Sequence, residues 1–373
     1  MTKPKVGILS MQRVINYGSF LQAYALRELL RKNGAGNISF IDIIPGRPLV
    51  CGEQTKAVWR RYIEKIILLV KEGNIISGLK DFYFNRKLDW SIRKSWPILE
   101  LDKPKDTTFD SVVIGSDEVF NCCQESLWGY STQLFGDKSK IQSKRVFSYA
   151  GSFGYTTLKD LHKYSVAEEI AYNLNNLKAI SVRDENSKNI ILKLTGKKAL
   201  LHLDPVLIYG YKKEIGSMAE RPIRGKYMIV YTYQGRLKDL DEISVIKCYA
   251  ARHNYKLVSI MCRYNWCDTA ILPSNPIDVL RFFKFAECIV TDTFHGTIFS
   301  IITHSRFATF VRPSNINKLH FLLISLGLEK HEVNRADALY SILDIEDNFE
   351  KIEGILNGYR EETISYLRNN ISE

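Results

Sequence analysis

The chain has 373 residues, of which 45% are hydrophobic and 12% aromatic, a length that suits two ordinary hydrophobic cores better than one. Lys and Arg outnumber Asp and Glu by 52 to 41, and the resulting net charge of +11 favours an anionic partner: a phosphorylated metabolite, an anionic membrane surface or nucleic acid. Nucleic acid is the least supported, because the sequence has no run of five basic residues and no aromatic-basic RNA motif.

The cysteines and the apolar runs exclude further classes of protein. The seven cysteines are dispersed and lack Cys-x-x-Cys spacing, which favours reduced thiols in a cytoplasm over a disulfide framework or a zinc site. No apolar run exceeds five residues, as in residues 66–70, which is too short to span a bilayer. The sequence therefore predicts a soluble cytoplasmic protein that needs no metal.

The chain opens with the pattern of a β-α-β unit. Residues 6–11 predict a strand, 12–19 a polar loop, 20–30 a helix and 38–44 a second strand. A basic, aromatic helical stretch follows from about residue 58 to 90. It is typical of covering helices with solvated Lys and Arg faces, and a membrane-surface or lipid-substrate role is the alternative.

Two series of strands follow, which predict the α/β class. The first comprises residues 111–114, 145–149, 179–182 and 200–203, and the second comprises 227–231, 257–261, 289–291 and 307–311. Residues 209–226 between them have the composition of a linker. We expect two Rossmann-like doubly wound domains facing a cleft, with the following boundaries: residues 1–210, including an inserted helical region at about 55–100; residues 220–345; and a helix at 346–373 that packs back.

Polar clusters follow four of the predicted strands, and the first two lie in the first domain. In the first cluster, Asn16, Tyr17, Gly18 and Ser19, the glycine permits close backbone approach and the next helix offers N–H groups to an anion; a plain capping loop explains it equally well. In the second, an apolar strand runs into Gly115 and then Ser116, Asp117 and Glu118. These residues either cap a helix or hold a carboxylate for general acid-base catalysis.

The third cluster is centred on an arginine and the fourth on a histidine. Arg183 ends a strand shortly before Ser187, where its guanidinium suits capture of a carboxylate or phosphate; an ion pair with Asp184, Glu185 or a nearby loop is the alternative. The fourth cluster surrounds a predicted helix start, where backbone donors, hydroxyls and an imidazole can meet one anion; it comprises Asp292, Thr293, His295, Gly296 and Thr297.

Six motifs occur in one order along the chain: KVGILSMQRVINYGSFLQAYALRELL, VVIGSDEVFN, FSYAGSFG, ISVRDENS, LDPVL and TDTFHGTIFSII. In this order the sequence resembles the polysaccharide pyruvyl transferase family. The resemblance implies a fold like that of the GT-B glycosyltransferases and transfer of a pyruvyl group from phosphoenolpyruvate to a sugar. The product would be a cyclic ketal across two hydroxyls, with release of phosphate and without a cofactor.

The resemblance also implies roles for individual residues. Arg183 matches a strand-end arginine of the family, and His295 matches the histidine of its Arg-x-His signature, both associated with phosphoenolpyruvate. Thr293 stands where that signature has arginine, and Arg312 or Lys318 could restore the positive charge. His295 is the first choice for phosphate binding or proton transfer, with Asp117 or Asp292 as the base on the sugar hydroxyl.

The acceptor is predicted to be a surface polysaccharide or its precursor. The second domain is the expected donor side and the first the acceptor side, where Trp59, Tyr62, Trp90 and Trp96 accompany basic residues. That composition suits a lipid-diphosphate-linked sugar at the inner membrane face, although a free oligosaccharide would fit the same residues. Two other functions stay open: a glycosyltransferase that uses a nucleotide sugar, and a non-catalytic subunit of a polysaccharide assembly complex.

Overall fold

The structure, a computed structural model, describes residues 3–50, 75–103, 106–123 and 128–371. Of the helical stretch predicted at about residues 58–90, residues 58–74, with Trp59 and Tyr62, lie outside the described residues, and the rest is helical. None of the described helices combines the length and the apolar character that crossing a bilayer requires.

The first sheet is parallel, with the strand order β2-β1-β3-β4-β5-β6. Its strands are β1 Val6–Leu9, β2 Ile38–Ile41, β3 Phe109–Asp117, β4 Ser143–Gly151, β5 Ser181–Val182 and β6 Leu200–Leu201. All residues of β1 are buried, because helices cover both faces of a doubly wound sheet. Of the strand predicted at residues 179–182, only Ser181 and Val182 form β5.

The helices of this half are α1 Tyr17–Lys32, α2 Ile75–Lys94, α3 Leu158–Lys163, α4 Ala167–Asn175, α5 Glu185–Thr195 and α6 Pro205–Tyr209. Helix α1 begins at Tyr17, whereas the sequence predicted a loop as far as residue 19. The reason is Asn16, whose side chain accepts a hydrogen bond from the Gly18 backbone N–H at 2.7 Å and so caps the helix.

The second sheet is also parallel, with the order β12-β11-β10-β7-β8-β9. Its strands are β7 Tyr227–Tyr231, β8 Lys256–Ile260, β9 Thr269–Ile271, β10 Cys288–Thr291, β11 Phe307–Phe310 and β12 Glu332–Val333. The sequence did not predict β9 or β12, which are the outermost strands and very short. The helices are α7 Lys212–Ser217, α8 Leu240–Arg252, α9 Val279–Lys284, α10 Phe294–Ile302, α11 Ile316–Leu326 and α12 Leu339–Leu343.

The chain passes between the two sheets twice. It crosses first at residues 210–226, where the predicted linker contains α7 and the fully buried Tyr211. It returns after α12 in the helix α13 Phe349–Ile371. There Tyr366 Oη donates to the Ser148 backbone oxygen of β4 at 2.6 Å, and Arg368 Nε donates to Asn33 Oδ1 at 3.1 Å.

Each sheet reverses its direction of winding at one point, between β1 and β3 in the first and between β7 and β10 in the second. The crossovers leave these neighbouring strands in opposite directions, which opens a crevice at their carboxyl ends. Ligands of doubly wound proteins bind in such crevices. The topology therefore directs attention to the loops after β1, β3, β7 and β10.

Candidate active site

A cavity of about 690 Å³ lies between the carboxyl ends of the two sheets. Loops that follow β1 and β3 line one wall, and loops that follow β7 and β10 line the other. The predicted site residues among its lining are Asn16, Ser19, Asp117, Glu118, Arg183, Thr293, His295 and Lys318. The fold thus brings two residues from each of three predicted clusters, and Arg183 from the remaining cluster, to a single space.

Arg183 bridges two carboxylates beneath this cavity. Its side chain is 1% exposed; Nη1 donates to Asp204 Oδ2 at 2.9 Å and Nη2 to Asp117 Oδ1 at 3.1 Å. Its guanidinium carbon lies 4.5 Å from the ring centre of Phe294, and in the part of the chain that the structure describes Nε has no hydrogen-bond partner. Its partners are therefore not the adjacent Asp184 or Glu185 considered from the sequence.

Asp117, the last residue of β3, has both carboxylate oxygens occupied. Oδ1 accepts from Arg183, and Oδ2 accepts from Ser19 Oγ at 2.7 Å. Burial alone would raise the pKa of Asp117, but the Arg183 guanidinium, with His295 and the Ser19 hydroxyl, holds it at about 2. Asp117 is thus ionised and committed to orienting Arg183.

His295 lies in the first turn of α10 and packs against α1 of the other half. A Cβ added at Gly18 would lie 2.2 Å from His295 Nδ1, so only glycine leaves room for the ring. Nε2 has no hydrogen-bond partner among the described residues and lies 3.8 Å from Asp204 Oδ2. Burial lowers the pKa of His295 despite the opposing carboxylates of Asp204 and Asp117, so the ring is neutral at neutral pH.

Asp292, directly after β10, is a buried carboxyl for which no other described residue supplies a hydrogen bond. Its Oδ2 lies 3.8 Å from Arg236 Nη1 and 3.8 Å from Arg312 Nε. Burial raises the pKa of Asp292 to about 6, although both arginines oppose the rise. This carboxyl can therefore hold a proton close to neutral pH.

Lys318, on α11, reaches across the cavity to form an ion pair with Glu118, which follows β3. Glu118 Oε2 also accepts from Asn121 Nδ2 at 2.7 Å. Burial would raise the pKa of Glu118, but Lys318 keeps it below its usual value. Arg312, the other cation considered from the sequence, instead donates from both Nη atoms to Glu242 at 2.7 Å and does not line the cavity.

The remaining predicted residues make hydrogen bonds or packing contacts that hold the helices and loops around the cavity in place. Thr293 caps α10 through a hydrogen bond from the Gly296 N–H at 2.9 Å, and Thr297 donates to the Thr293 backbone oxygen at 3.1 Å. Tyr17 is fully buried. Ser116 Oγ lies 3.5 Å from Asp204 Oδ2, and Ser187 Oγ accepts from the Phe153 N–H at 2.8 Å. None of Tyr17, Gly18, Ser116, Ser187, Gly296 or Thr297 lines the cavity.

Several residues of the site were missed by sequence reasoning. Asp204, in the LDPVL motif, precedes a proline at the first position of α6 and has the pattern of a helix cap, which it also is. Nothing in the sequence marks it as a partner of Arg183. Tyr233 and Arg236 lie in the loop after β7. Knowing that β7 is the neighbour of β10 would have identified this loop as part of the crevice. Tyr233 Oη accepts from Asn16 Nδ2 at 2.6 Å across the cavity.

The chemistry available here is anion binding combined with proton transfer. Arg183, Arg236 and Lys318 supply positive charge, His295 supplies a neutral imidazole, and Asp292, just outside the lining, has a pKa raised by burial to about 6. Within the ranges that the structure describes, no three residues of the types His, Cys, Asp and Glu are grouped so as to hold a metal ion.

Solved structures share the architecture at very low identity. The UDP-N-acetylglucosamine 2-epimerase from Rickettsia bellii superposes with a TM-score of 0.51 at 9% identity, over 98% of this chain and 97% of that one. The UDP-GlcNAc 2-epimerase from Neisseria meningitidis gives 0.48 at 11%, over 97% and 98%, and the glycotransferase of kitacinnamycin gives 0.46 at 10%, over both whole chains. The first of these likenesses shows the fold alone and confirms the predicted GT-B-like pair of Rossmann-like domains.

The family of the chain is identified by comparing its sequence with family models. No curated protein matches the chain. The family model for polysaccharide pyruvyl transferase matches residues 16–312, a span that runs from the cap of α1 to Arg312 and includes Arg183 and His295. The chain therefore belongs to the polysaccharide pyruvyl transferase family.

Proposed function

We propose that the cavity binds phosphoenolpyruvate and transfers its pyruvyl group to a sugar, forming a cyclic ketal and releasing phosphate. The observation that carries this proposal is the meeting of Arg183, from the first sheet, and His295, from the second, in one cavity. Arg183 Nε and His295 Nε2 are both without hydrogen-bond partners within the described residues. Two such buried polar groups suit a ligand that supplies the missing contacts.

The positive charges match the donor. Phosphoenolpyruvate carries a carboxylate and a phosphate, so its site needs several fixed cations or N–H donors. Lys318 and Arg236 both line the cavity on the side of the second sheet, where we place the donor. Arg236 Nη1 lies 3.8 Å from Oδ2 of Asp292, the residue before Thr293, so Arg236 supplies a positive charge that the sequence lacks at position 293.

Asp292 does not itself line the cavity, but it directly precedes the lining residue Thr293, and its carboxyl reaches the donor if its side chain turns toward the cavity. With a pKa of about 6 it can donate a proton to the methylene carbon of phosphoenolpyruvate, which becomes a methyl group. The adjacent carbon is left as an oxocarbenium-like centre. The oxygen of a sugar hydroxyl adds to this carbon, and the hydroxyl proton passes to neutral His295.

A second hydroxyl completes the ketal. The bond from the carbon to the phosphate oxygen breaks, phosphate departs with the bonding pair, and the second hydroxyl oxygen takes its place. Of the two hydroxyl protons, one replaces the proton spent on the methyl group and the other leaves with phosphate or solvent. Asp117 takes no proton in this scheme, because Arg183 and Ser19 already occupy its oxygens.

The acceptor enters from the side of the first sheet. Trp128 and Tyr155 line that wall and offer aromatic faces of the kind on which sugar rings pack. Arg13 and Arg93 lie on the same wall and suit an acceptor that carries negative charge, such as a sugar linked to a lipid diphosphate. We therefore extend the proposal to a surface polysaccharide or its lipid-linked precursor.

The test measures donor binding without an acceptor. Phosphoenolpyruvate at about a hundred times its dissociation constant should stabilise the fold by about 2.7 kcal/mol, visible as a rise in melting temperature. His295→Ala should weaken this rise, whereas the exposed control His320→Ala should not. Phosphate release with a saccharide acceptor then tests turnover. Stabilisation by a UDP- or GDP-sugar and not by phosphoenolpyruvate would contradict the proposal in favour of a glycosyltransferase.

A further inference from the structure

Helix α2 carries a row of large apolar side chains that point away from the protein. Ile76, Leu79, Tyr83 and Trp90 are 70%, 63%, 61% and 63% exposed. Their spacings of three, four and seven residues place them along one face of the helix. Aligned exposure of this kind marks an interaction site more often than isolated exposed side chains do.

The opposite face of α2 is fixed to the protein. Leu88 and Ile92 are buried, and Arg263, after β8, donates from Nε to Asp81 Oδ1 at 2.7 Å. Arg263 Nη2 also donates to Ser77 Oγ at 2.6 Å. Because these contacts hold the inner face, the apolar row cannot turn inward without breaking them.

Three lysines share the outward face. Lys80, Lys87 and Lys94 recur every seven residues, which places them on one side of a helix. Lys87 Nζ lies 4.5 Å from the ring centre of Tyr83, and Lys94 Nζ lies 4.9 Å from that of Trp90. We call the face formed by Ile76, Leu79, Lys80, Tyr83, Lys87, Trp90 and Lys94 the outer stripe of α2.

The acidic residues of α2 lie off the outer stripe. Asp81 is held by Arg263, and Asp89 accepts from Arg93 Nε at 2.9 Å. The stripe is therefore apolar and positively charged at once. Such a face matches an anionic lipid surface, where apolar and aromatic side chains enter the headgroup region and lysine ammonium groups remain near the phosphates.

We propose that the outer stripe of α2 docks the protein on an anionic lipid bilayer, with the helix lying along the interface. A second copy of the chain would fit this face less well, since a symmetric contact would bring the lysine rows of both copies together. Arg93, in the last turn of α2, lines the cavity, so docking would bring the cavity close to the bilayer. The proposal goes beyond the proposed reaction and does not depend on it.

Sedimentation of the full chain with vesicles tests the docking without donor or acceptor. Vesicles of phosphatidylcholine with an equal part of phosphatidylglycerol should bind the wild type at low salt, and high salt should weaken the binding. Leu79→Glu/Trp90→Glu and Lys87→Glu/Lys94→Glu should each bind about tenfold more weakly or worse. Leu240→Glu, at a 79% exposed leucine on α8, is the matched control and should bind as the wild type does.

Several outcomes would overturn the docking. One is wild-type binding to phosphatidylcholine alone that equals its binding to the anionic vesicles, and another is unchanged binding of both double variants. A wild type that does not bind anionic vesicles at low salt would also refute it. A dimer in solution that Leu79→Glu/Trp90→Glu converts to a monomer would assign the stripe to a subunit interface. Melting temperatures of the variants confirm that they are folded.

Discussion

Gly18 and His295 touch across the boundary between the two halves of the molecule: a β-carbon at residue 18 would lie 2.2 Å from Nδ1 of the imidazole. Gly18 lies in the first turn of α1, and His295 lies in the first turn of α10, the helix after β10. The position of the histidine therefore depends on the absence of a side chain in the opposite half.

We expect Gly18→Ala to impair catalysis more than stability. The added methyl must displace the imidazole or separate the halves, and forced overpacking of this kind costs about 1–3 kcal/mol. Turnover with phosphoenolpyruvate and acceptor should fall far below that of the wild type. Gly358→Ala, on the exposed side of α13 with no atom near the new methyl, is the control and should retain activity. Full activity of Gly18→Ala would show that the position of His295 is not critical.

Arg183→Met should destabilise the fold as well as abolish turnover. Removing the guanidinium leaves Asp117 and Asp204 as buried, uncompensated carboxylates, and breaking a buried ion pair on one side costs about 3–5 kcal/mol. Urea denaturation measures the loss of unfolding free energy. Arg335→Met, in an exposed ion pair with Asp337, should change stability by less than about 1 kcal/mol. Equal losses in the two variants would refute the buried bridge.

Asp292→Asn should change how stability depends on pH. The pKa of Asp292 is raised from 3.8 in the unfolded chain to about 6, so the wild type loses stability as pH rises through this interval. The variant cannot titrate there. Its unfolding free energy relative to the wild type should increase by up to about 3 kcal/mol between pH 4 and pH 7. Parallel stability curves would contradict the raised pKa.

The protonation state of the Asp292 carboxyl should also control kcat/KM of the proposed reaction. If Asp292 donates the proton to the donor, kcat/KM of the wild type falls as pH rises above about 6, because less of the carboxyl is protonated. Asp292→Asn should lose this limb along with most of its activity. Residual activity of the variant with an unchanged alkaline limb would assign that limb to another group.

Lys318 and Glu118 should be coupled in binding the donor. Lys318→Met removes a cation from the cavity and leaves Glu118 without its main counter-charge, so the KM for phosphoenolpyruvate should rise. In Glu118→Gln/Lys318→Met the residue at position 118 carries no charge, so the stability cost of losing Lys318 disappears, but the weak donor binding remains. A double-mutant cycle on both quantities separates the two effects, and strict additivity in stability would show that the pair is not coupled.

Arg236→Met should raise the KM for phosphoenolpyruvate with little effect on the melting temperature. Arg236 stacks on Tyr233 with 4.9 Å between its guanidinium carbon and the ring centre, and it lines the cavity. Arg252 stacks on Tyr340 at 5.9 Å on the outside of α8. Arg252→Met therefore removes an arginine of similar packing, and a KM shift of the same size in both variants would exclude a specific role of Arg236.

Strand-end reasoning identified much of the cavity because parallel strands place their carboxyl ends together. Arg183, Asp117 and His295 are each marked in the sequence by an apolar run that ends in a polar residue. The fold class followed from the two series of such runs. The strand-end residues and the fold class could both be predicted because neither prediction requires knowing which strands are neighbours in a sheet.

The hydrogen-bond and ion-pair partners of these side chains could not be predicted from the sequence in the same way. Arg183 pairs with Asp204, 21 residues away, because β5 and β6 are adjacent, whereas local reasoning suggested Asp184. Ser187 has the composition of a ligand-binding residue but is used to fix the Phe153 backbone. Arg236 carries no local signal, since its position becomes meaningful only when β7 and β10 are known to be neighbours.

The two crossings of the chain, at residues 210–226 and before α13, define a geometric axis. If each half moves as a rigid body, two tethers permit only rotation about the line that joins them. The bonds from Asn16 to Tyr233, from Glu118 to Lys318 and from Asp81 to Arg263 are not tethers, and any such rotation that widens the cavity must break them. These three contacts thus oppose separation of the halves at the cavity, and we expect variants that remove them to exchange substrate and product faster.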